Sequence, residues 1–252
     1  MRIPYITAHS GCEGTPRDSM ESIEQAVRLG ADIVEMDIRR APDGVLRISH
    51  NPLSEEEYKE KPELKTVFLR LLDTGLSLNC DIKEAPALYD ALDMAASFGF
   101  DKERLILSGC TSPEQLARDP DLVRRARIYV NVEEALKFLY FRSRRTIGPA
   151  EFQQLMADPW QLLQNEPVPE AWLEDVVQFA KFFRLQGINL PFRLLTAAFV
   201  EKMQREKVPF SVWTVNDPEK IERCVRDGAE NITTLAVGMA LEERGRLCGV
   251  RV

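Results

Sequence analysis

Short runs rich in apolar and β-branched residues recur along the chain at Tyr5–Ala8, Ile33–Ile38, Ser77–Ile82, Leu105–Ser108, Arg127–Val130, Ile188–Leu190, Phe210–Thr214 and Asn231–Thr233. Between them lie longer stretches with helical periodicity, among them Ser19–Leu29, Ala85–Phe98, Thr196–Glu206 and Pro218–Asp227. Parallel strands need a crossover, and a helix is the usual one, so this alternation predicts a parallel sheet. Eight such runs within 252 residues predict a closed (β/α)8 TIM barrel, residues 1–252 forming one domain, rather than an open doubly wound sheet.

Several boundaries have a local cause. Asp18 is placed to cap the first helix, with Glu21 three residues on as in a capping box. Asp217-Pro218 sets an acceptor before a proline at the first helical position. Gly30 and Gly228 fall where helices should end. Two segments depart from the regular unit. Pro52–Gly75, after the second strand, is a short insertion; Phe138–Leu185 is long and is broken by Gly148-Pro149, Asp158-Pro159 and Pro167-Val168-Pro169. The longer one reads as a helical insertion after the fifth strand and is expected to cover part of the barrel mouth.

Strand side chains alternate between faces, and this alternation carries the candidate chemistry. In Ile33–Ile38, Val34, Met36 and Ile38 suit the helix-facing side, which turns Glu35 and Asp37 inward. In the third run Asn79, Asp81 and Lys83 share the inward face; in the first, Thr7 and His9 do. These residues converge at the C-terminal mouth, where such barrels keep their active sites. Three close carboxylates repel unless a cation lies between them, and oxygen-only donors suit a hard cation, Mg2+ or Ca2+. Arg39–Ser49, with the turn Pro42-Asp43-Gly44, would bring His50 back to the same mouth as His9, giving a possible acid and base pair. Each feature also has a plainer meaning: a salt-bridged barrel interior for Glu35 and Asp37, an ion pair for Asp81 and Lys83, core filling for Trp213.

Composition narrows the field. Hydrophobic residues are 44%, charged residues 29%, and the net charge is −7, with no concentrated basic face of the kind nucleic-acid binding needs. Cys12, Cys80, Cys110, Cys224 and Cys248 are odd in number and form no CxxC pair, so neither a disulfide framework nor a zinc site is indicated. No secretory signal and no apolar span of membrane length is expected, and a reducing cytoplasm fits. GxGxxG and GxxxxGK[ST] loops are missing, which disfavours Rossmann and P-loop chemistry. A sugar-phosphate isomerase barrel is disfavoured because Asn231–Gly238 offers a single glycine for a phosphate loop.

The joint spacing of His9-Ser10-Gly11, Pro16-Arg17-Asp18-Ser19, Gly30-Ala31-Asp32, Glu35-Met36-Asp37, Asp43-Gly44 and His50-Asn51 resembles the opening of glycerophosphodiester phosphodiesterases. Asn79-Cys80-Asp81-Ile82-Lys83, Gly187-Ile188-Asn189-Leu190-Pro191 and Val212-Trp213-Thr214-Val215-Asn216 resemble later strands of that family. The resemblance implies a divalent cation held by Glu35, Asp37 and Asp81, acid and base roles for His9 and His50, and phosphoryl charge stabilised by Lys83. It implies a small glycerophosphodiester as substrate. There are departures. Ser10 replaces an arginine that contacts phosphate, Arg17 stands in place of a glutamate and Asn51 in place of an aspartate. Asp81 is shorter than the usual glutamate, and Ile232-Thr233-Thr234-Leu235 lacks an aspartate and a proline. Ser10, Arg17 and Trp213 are therefore candidate substrate contacts, with Arg17 offsetting the missing arginine. The trimmed Pro52–Gly75 segment is similar to the related sphingomyelinase D branch. A lysophospholipase D-like activity, another phosphodiesterase with a different alcohol, or a barrel that binds a phosphodiester without turnover are the alternatives.

Overall fold

The computed structural model describes residues 3–109, 111, 113–132, 134–135 and 170–249. Nine strands form one sheet: β1 Tyr5–Ala8, β2 Ile33–Arg40, β3 Leu46–Ile48, β4 Ser77–Ile82, β5 Leu105–Gly109, β6 Arg127–Asn131, β7 Gly187–Pro191, β8 Phe210–Trp213 and β9 Asn231–Thr234. Eight of them are parallel neighbours in the order β1-β9-β8-β7-β6-β5-β4-β2, and pairing of β1 with β2 closes the barrel. Helices surround it, so the fold is a (β/α)8 barrel.

The ninth strand was not anticipated. β2 runs on to Arg40, turns through Ala41–Gly44 and returns antiparallel as β3, pairing Ile38 with Ile48. Gly44 takes φ 82°, a left-handed conformation that suits glycine, and its N–H donates to the Ala41 carbonyl at 2.8 Å. The hairpin exists because the edge groups of an over-long β2 need partners once the strand leaves the barrel. Ser49 N–H donates to the Asp37 carbonyl at 2.9 Å, which delivers His50 to the mouth.

The strand faces follow the alternation. Val34, Met36, Ile38, Leu78, Cys80 and Ile82 are fully buried against the helical layer. Fully burying one such side chain stabilises the fold by about 1.5–3 kcal/mol. Phe68, on the helix Leu64–Leu71 within the Pro52–Gly75 segment, stacks on Phe98 at 5.7 Å and meets Phe100 edge-on at 4.9 Å. The Pro52–Gly75 segment therefore carries the barrel's own second helix. Cys12, Cys80 and Cys224 are free and buried, as small apolar fillers would be.

Two expectations change. The first helix, Met20–Leu29, is capped by Ser19, whose hydroxyl accepts from Ser22 N–H; Asp18 is not the cap. Of Phe138–Leu185, residues 138–169 lie outside the described residues. Glu170–Phe182 is a regular outer helix packed on Ala197–Glu206, with Lys181 paired to Glu206 at 2.8 Å. The described part of that segment is thus ordinary barrel wall, and the expectation of mouth cover concerns residues that lie outside the described ones. Among the described residues no helix is long and apolar enough to cross a membrane.

Candidate active site

At the C-terminal ends of the strands lies a cavity of about 420 Å³. Register places its acidic wall: Glu35 is level with Asn79, and Asp37 with Asp81, which is level with Ser108 on β5. Carboxylate oxygens of Glu35, Asp37 and Asp81 all lie within 4.8 Å of one another. Gly109 makes this packing possible: a Cβ there would lie 2.3 Å from Asp81 Oδ1 and from the Ile82 carbonyl, and its φ of 75° suits glycine. Ser108 hydroxyl donates to Asp81 Oδ1 at 3.2 Å.

Lys83 answers part of this charge. Its ammonium sits 2.6 Å from Asp37 Oδ1 and 2.5 Å from Asp81 Oδ2. Burial disfavours the ammonium, yet the two carboxylates hold its pKa above the usual lysine range. Burial also pushes Asp37 up, but Lys83 and His50 together bring it below its ordinary value. Asp81 ends raised, by burial and by Asp37 against the pull of Lys83. Lys83 offsets less at Glu35: burial first, then Asp37 and Asp81, hold it well above the usual carboxylate range. Two like charges 4.8 Å apart repel by about 3 kcal/mol at an effective dielectric constant near 20. An all-oxygen cluster short of positive charge has the chemistry to hold a hard divalent cation.

The histidines flank this cluster. His9 follows β1, its N–H donating to the Thr234 carbonyl at 2.9 Å and its Nε2 lying 3.7 Å from Glu35 Oε2. Its Nδ1 is buried without a hydrogen-bond partner among the described residues. Burial first, and then the charge of Arg17, lower its pKa to about 4, so the ring is neutral near pH 7. His50 is half exposed, with Nδ1 3.1 Å from Asp37 Oδ2. An exposed loop residue needs other restraint, and its backbone has it: the N–H donates to Asp18 Oδ2 at 2.9 Å, and the carbonyl accepts from Arg39 Nε at 3.0 Å and Nη2 at 2.9 Å.

Asp18 is the residue that sequence reading misplaced. Held at φ 53° and largely buried, it accepts from the Ser10 hydroxyl at 3.2 Å as well as from His50, and its own N–H donates to Ser10 Oγ at 2.8 Å. It thereby ties the His9 loop to the His50 loop. A signal existed: Asp18 and Ser19 are both capping types, only one can occupy the cap, and the other was left for a different task. The expectation that Ser10 contacts substrate is corrected. Ser10 is fully buried, its hydroxyl is engaged by Asp18, and its N–H donates to Glu35 Oε2 at 3.3 Å, so it lies beneath the cavity wall.

Arg17 does line the cavity, as does Trp213. The Arg17 stem crosses Gly11, where a Cβ would lie 2.8 Å from Arg17 Cγ. Asn131 completes the opposite wall with Asn189; continuing the alternation Arg127, Tyr129, Asn131 by one residue past the expected strand end would have found it.

The family model described as the glycerophosphoryl diester phosphodiesterase family matches residues 9–238, the span that carries every residue of this site. The chain belongs to that family. Its members are phosphoric diester hydrolases, and this protein is one. It is 22% identical over 247 residues to a glycerophosphodiester phosphodiesterase of Caldanaerobacter subterraneus subsp. tengcongensis, covering 91% of this chain and 93% of that one. Among solved structures it is similar to the glycerophosphodiester phosphodiesterase of Thermotoga maritima, with a TM-score of 0.69 and 18% identity over 96% of this chain and 99% of that one. It is also similar to an Oleispira antarctica phosphodiesterase in complex with the product sn-glycerol-3-phosphate, with a TM-score of 0.64 and 16% identity, covering 96% of each chain. At such identities the structural likeness establishes this phosphodiesterase family member's fold, while its chemistry rests on the residues above.

Proposed function

We propose that this protein hydrolyses glycerophosphodiesters to glycerol 3-phosphate and a free alcohol with the help of a divalent cation, Mg2+ or Ca2+. The observation that carries the reading is the convergence of Glu35, Asp37 and Asp81 beside two histidines and a lysine in one cavity. The three carboxylates would hold the cation, which when bound supplies charge neutralisation at the phosphoryl oxygens. Lys83 and Arg17 add cationic partners for the phosphate; Arg17 has no ion-pair partner of its own among the described residues, which leaves its guanidinium available.

His9 and His50 serve as the acid and base. One ring nitrogen takes the proton from the glycerol hydroxyl next to the phosphoester as that oxygen bonds phosphorus. The bond to the leaving alcohol breaks, and the other histidine delivers a proton to that alcohol. Water then opens the cyclic phosphate with the roles reversed. Asp37, 3.1 Å from His50 Nδ1, orients the ring, while Asp18 and Arg39 hold its backbone.

The wall also bears on the choice of substrate. Among the described residues the cavity is lined by charged, imidazole, amide and hydroxyl side chains, with Trp213 its one large apolar surface. This favours a small polar diester over a lysophospholipid, whose acyl chain would need apolar cover. Release of glycerol 3-phosphate from glycerophosphocholine, with and without chelator, tests the reading. Turnover that persists after chelation would remove the cation from it, and no turnover with any divalent cation would remove the activity.

A further inference from the structure

The half of the mouth across from the carboxylates holds a second constellation. In the closed order of the eight parallel strands, β7 lies opposite β2 and β6 opposite β1. Asn131 on β6 and Asn189 on β7 are register partners. Their amides are joined by a hydrogen bond, Asn189 Nδ2 to Asn131 Oδ1, of 2.9 Å. Both line the cavity. Asn189 Oδ1 is buried and has no hydrogen-bond partner among the described residues. A buried amide oxygen left unpaired is costly, and inside a cavity it is completed by water or by a group of the ligand.

Joined in this way, the two amides keep one acceptor and at least one donor free. Exchanging nitrogen and oxygen in both amides leaves the same set. One donor beside one acceptor matches an alcohol hydroxyl, which gives one hydrogen bond and takes another. A trimethylammonium group or an acyl chain can use neither. The pair stands across the barrel from Glu35 and Asp37, so a substrate whose phosphate lies at the cationic groups would extend its far end toward β6 and β7.

We propose that the Asn131–Asn189 amide pair holds the terminal hydroxyl of the glycerol moiety, the one that does not attack phosphorus, and so selects diesters that retain it. This rests on the glycerophosphodiester reading and names the group that sets its substrate preference.

The test compares kcat/KM for glycerophosphoethanolamine and for its analogue built on propane-1,2-diol. The analogue keeps the attacking secondary hydroxyl and replaces the terminal CH2OH by CH3. Wild-type protein is expected to prefer the glycerol substrate by about tenfold or more, the effect of losing a hydroxyl from a site built to bind it. In Asn189→Leu the preference should fall below about twofold. Asn131→Ser, which removes the partner amide, should lower it in the same direction and serves in its place should Asn189→Leu not fold. Equal wild-type rates on the two substrates overturn the proposal, as does a folded Asn189→Leu with undiminished preference. Wild-type protein that cleaves neither substrate with any divalent cation sinks the glycerophosphodiester reading instead, and the proposal with it.

Discussion

The two halves of the barrel mouth are built by the same strand alternation and differ in what they place there. Three carboxylates on β2 and β4, with Lys83 just past the end of β4, are crowded until burial and their mutual charges shift every one of them. On β6 and β7, neutral amides satisfy one another and leave a single buried acceptor over. Charges at short range store electrostatic energy that a cation or a developing phosphoryl charge can release, which is what chemistry needs. Neutral amides store little and discriminate by shape and hydrogen-bond count, which is what recognition needs. The histidines stand on the charged side, where proton transfer is wanted.

If the halves divide chemistry from recognition, substitutions on the charged side should lower kcat and those elsewhere should act mainly on KM. The largest effect is expected from His9→Ala and His50→Ala, each lowering kcat by about 10²–10⁴-fold with the fold intact by circular dichroism. A wild-type rate in either removes that histidine from the mechanism. Next, Lys83→Ala should cost about 10²–10³-fold in kcat, the scale of losing one electrostatic stabiliser. An effect confined to KM would move Lys83 to the binding side of the comparison.

Smaller changes follow. Arg17→Ala should raise KM by about tenfold with kcat nearly unchanged, as for loss of a charged hydrogen bond. An unchanged KM would leave Lys83 and the cation as the phosphate's only charged partners.

The last effect is on stability. Glu35 has a raised pKa in the folded chain, so its favourable contribution is full below the ordinary glutamate range and is lost as pH rises through the raised one. Asp37 is lowered and acts the other way, its contribution lost only as pH falls below the ordinary aspartate range. The charged cluster should therefore weaken the cation-free protein at neutral pH, and a divalent cation should reverse this. At a concentration near 100 times its dissociation constant, Mg2+ or Ca2+ should raise Tm by about 5–10 °C at neutral pH and by less near pH 5. A shift equal at both pH values would mean the cation binds elsewhere.

Much of the charged half could be read along the chain, because its residues fall on strands and a strand reports its faces with period two. Glu35, Asp37, Asp81 and Lys83 are placed in this way; neither amide of the neutral half was, although the same rule reaches Asn189 within Ile188–Leu190 and Asn131 one residue past Val130. The loops gave far less. Asp18 looked like a helix cap and Ser10 like a cavity residue, since a loop has no period and either role suits the residue type. The β2–β3 hairpin was visible only as a turn, its strand character depending on pairing that local sequence does not state.

Periodicity and turn chemistry by themselves determined the barrel, the inward faces of its strands and the convergence of carboxylates and histidines at one end. The reason is local: backbone geometry sends alternate side chains to opposite faces wherever a strand forms. Only the tertiary structure decided that Asp18 binds the two histidine loops together, that Arg17 lies across Gly11 and that Asn131 meets Asn189 from 58 residues away. Those contacts are made between segments far apart in the chain, and they exist only once the barrel closes and brings the loops and strand ends to a common rim.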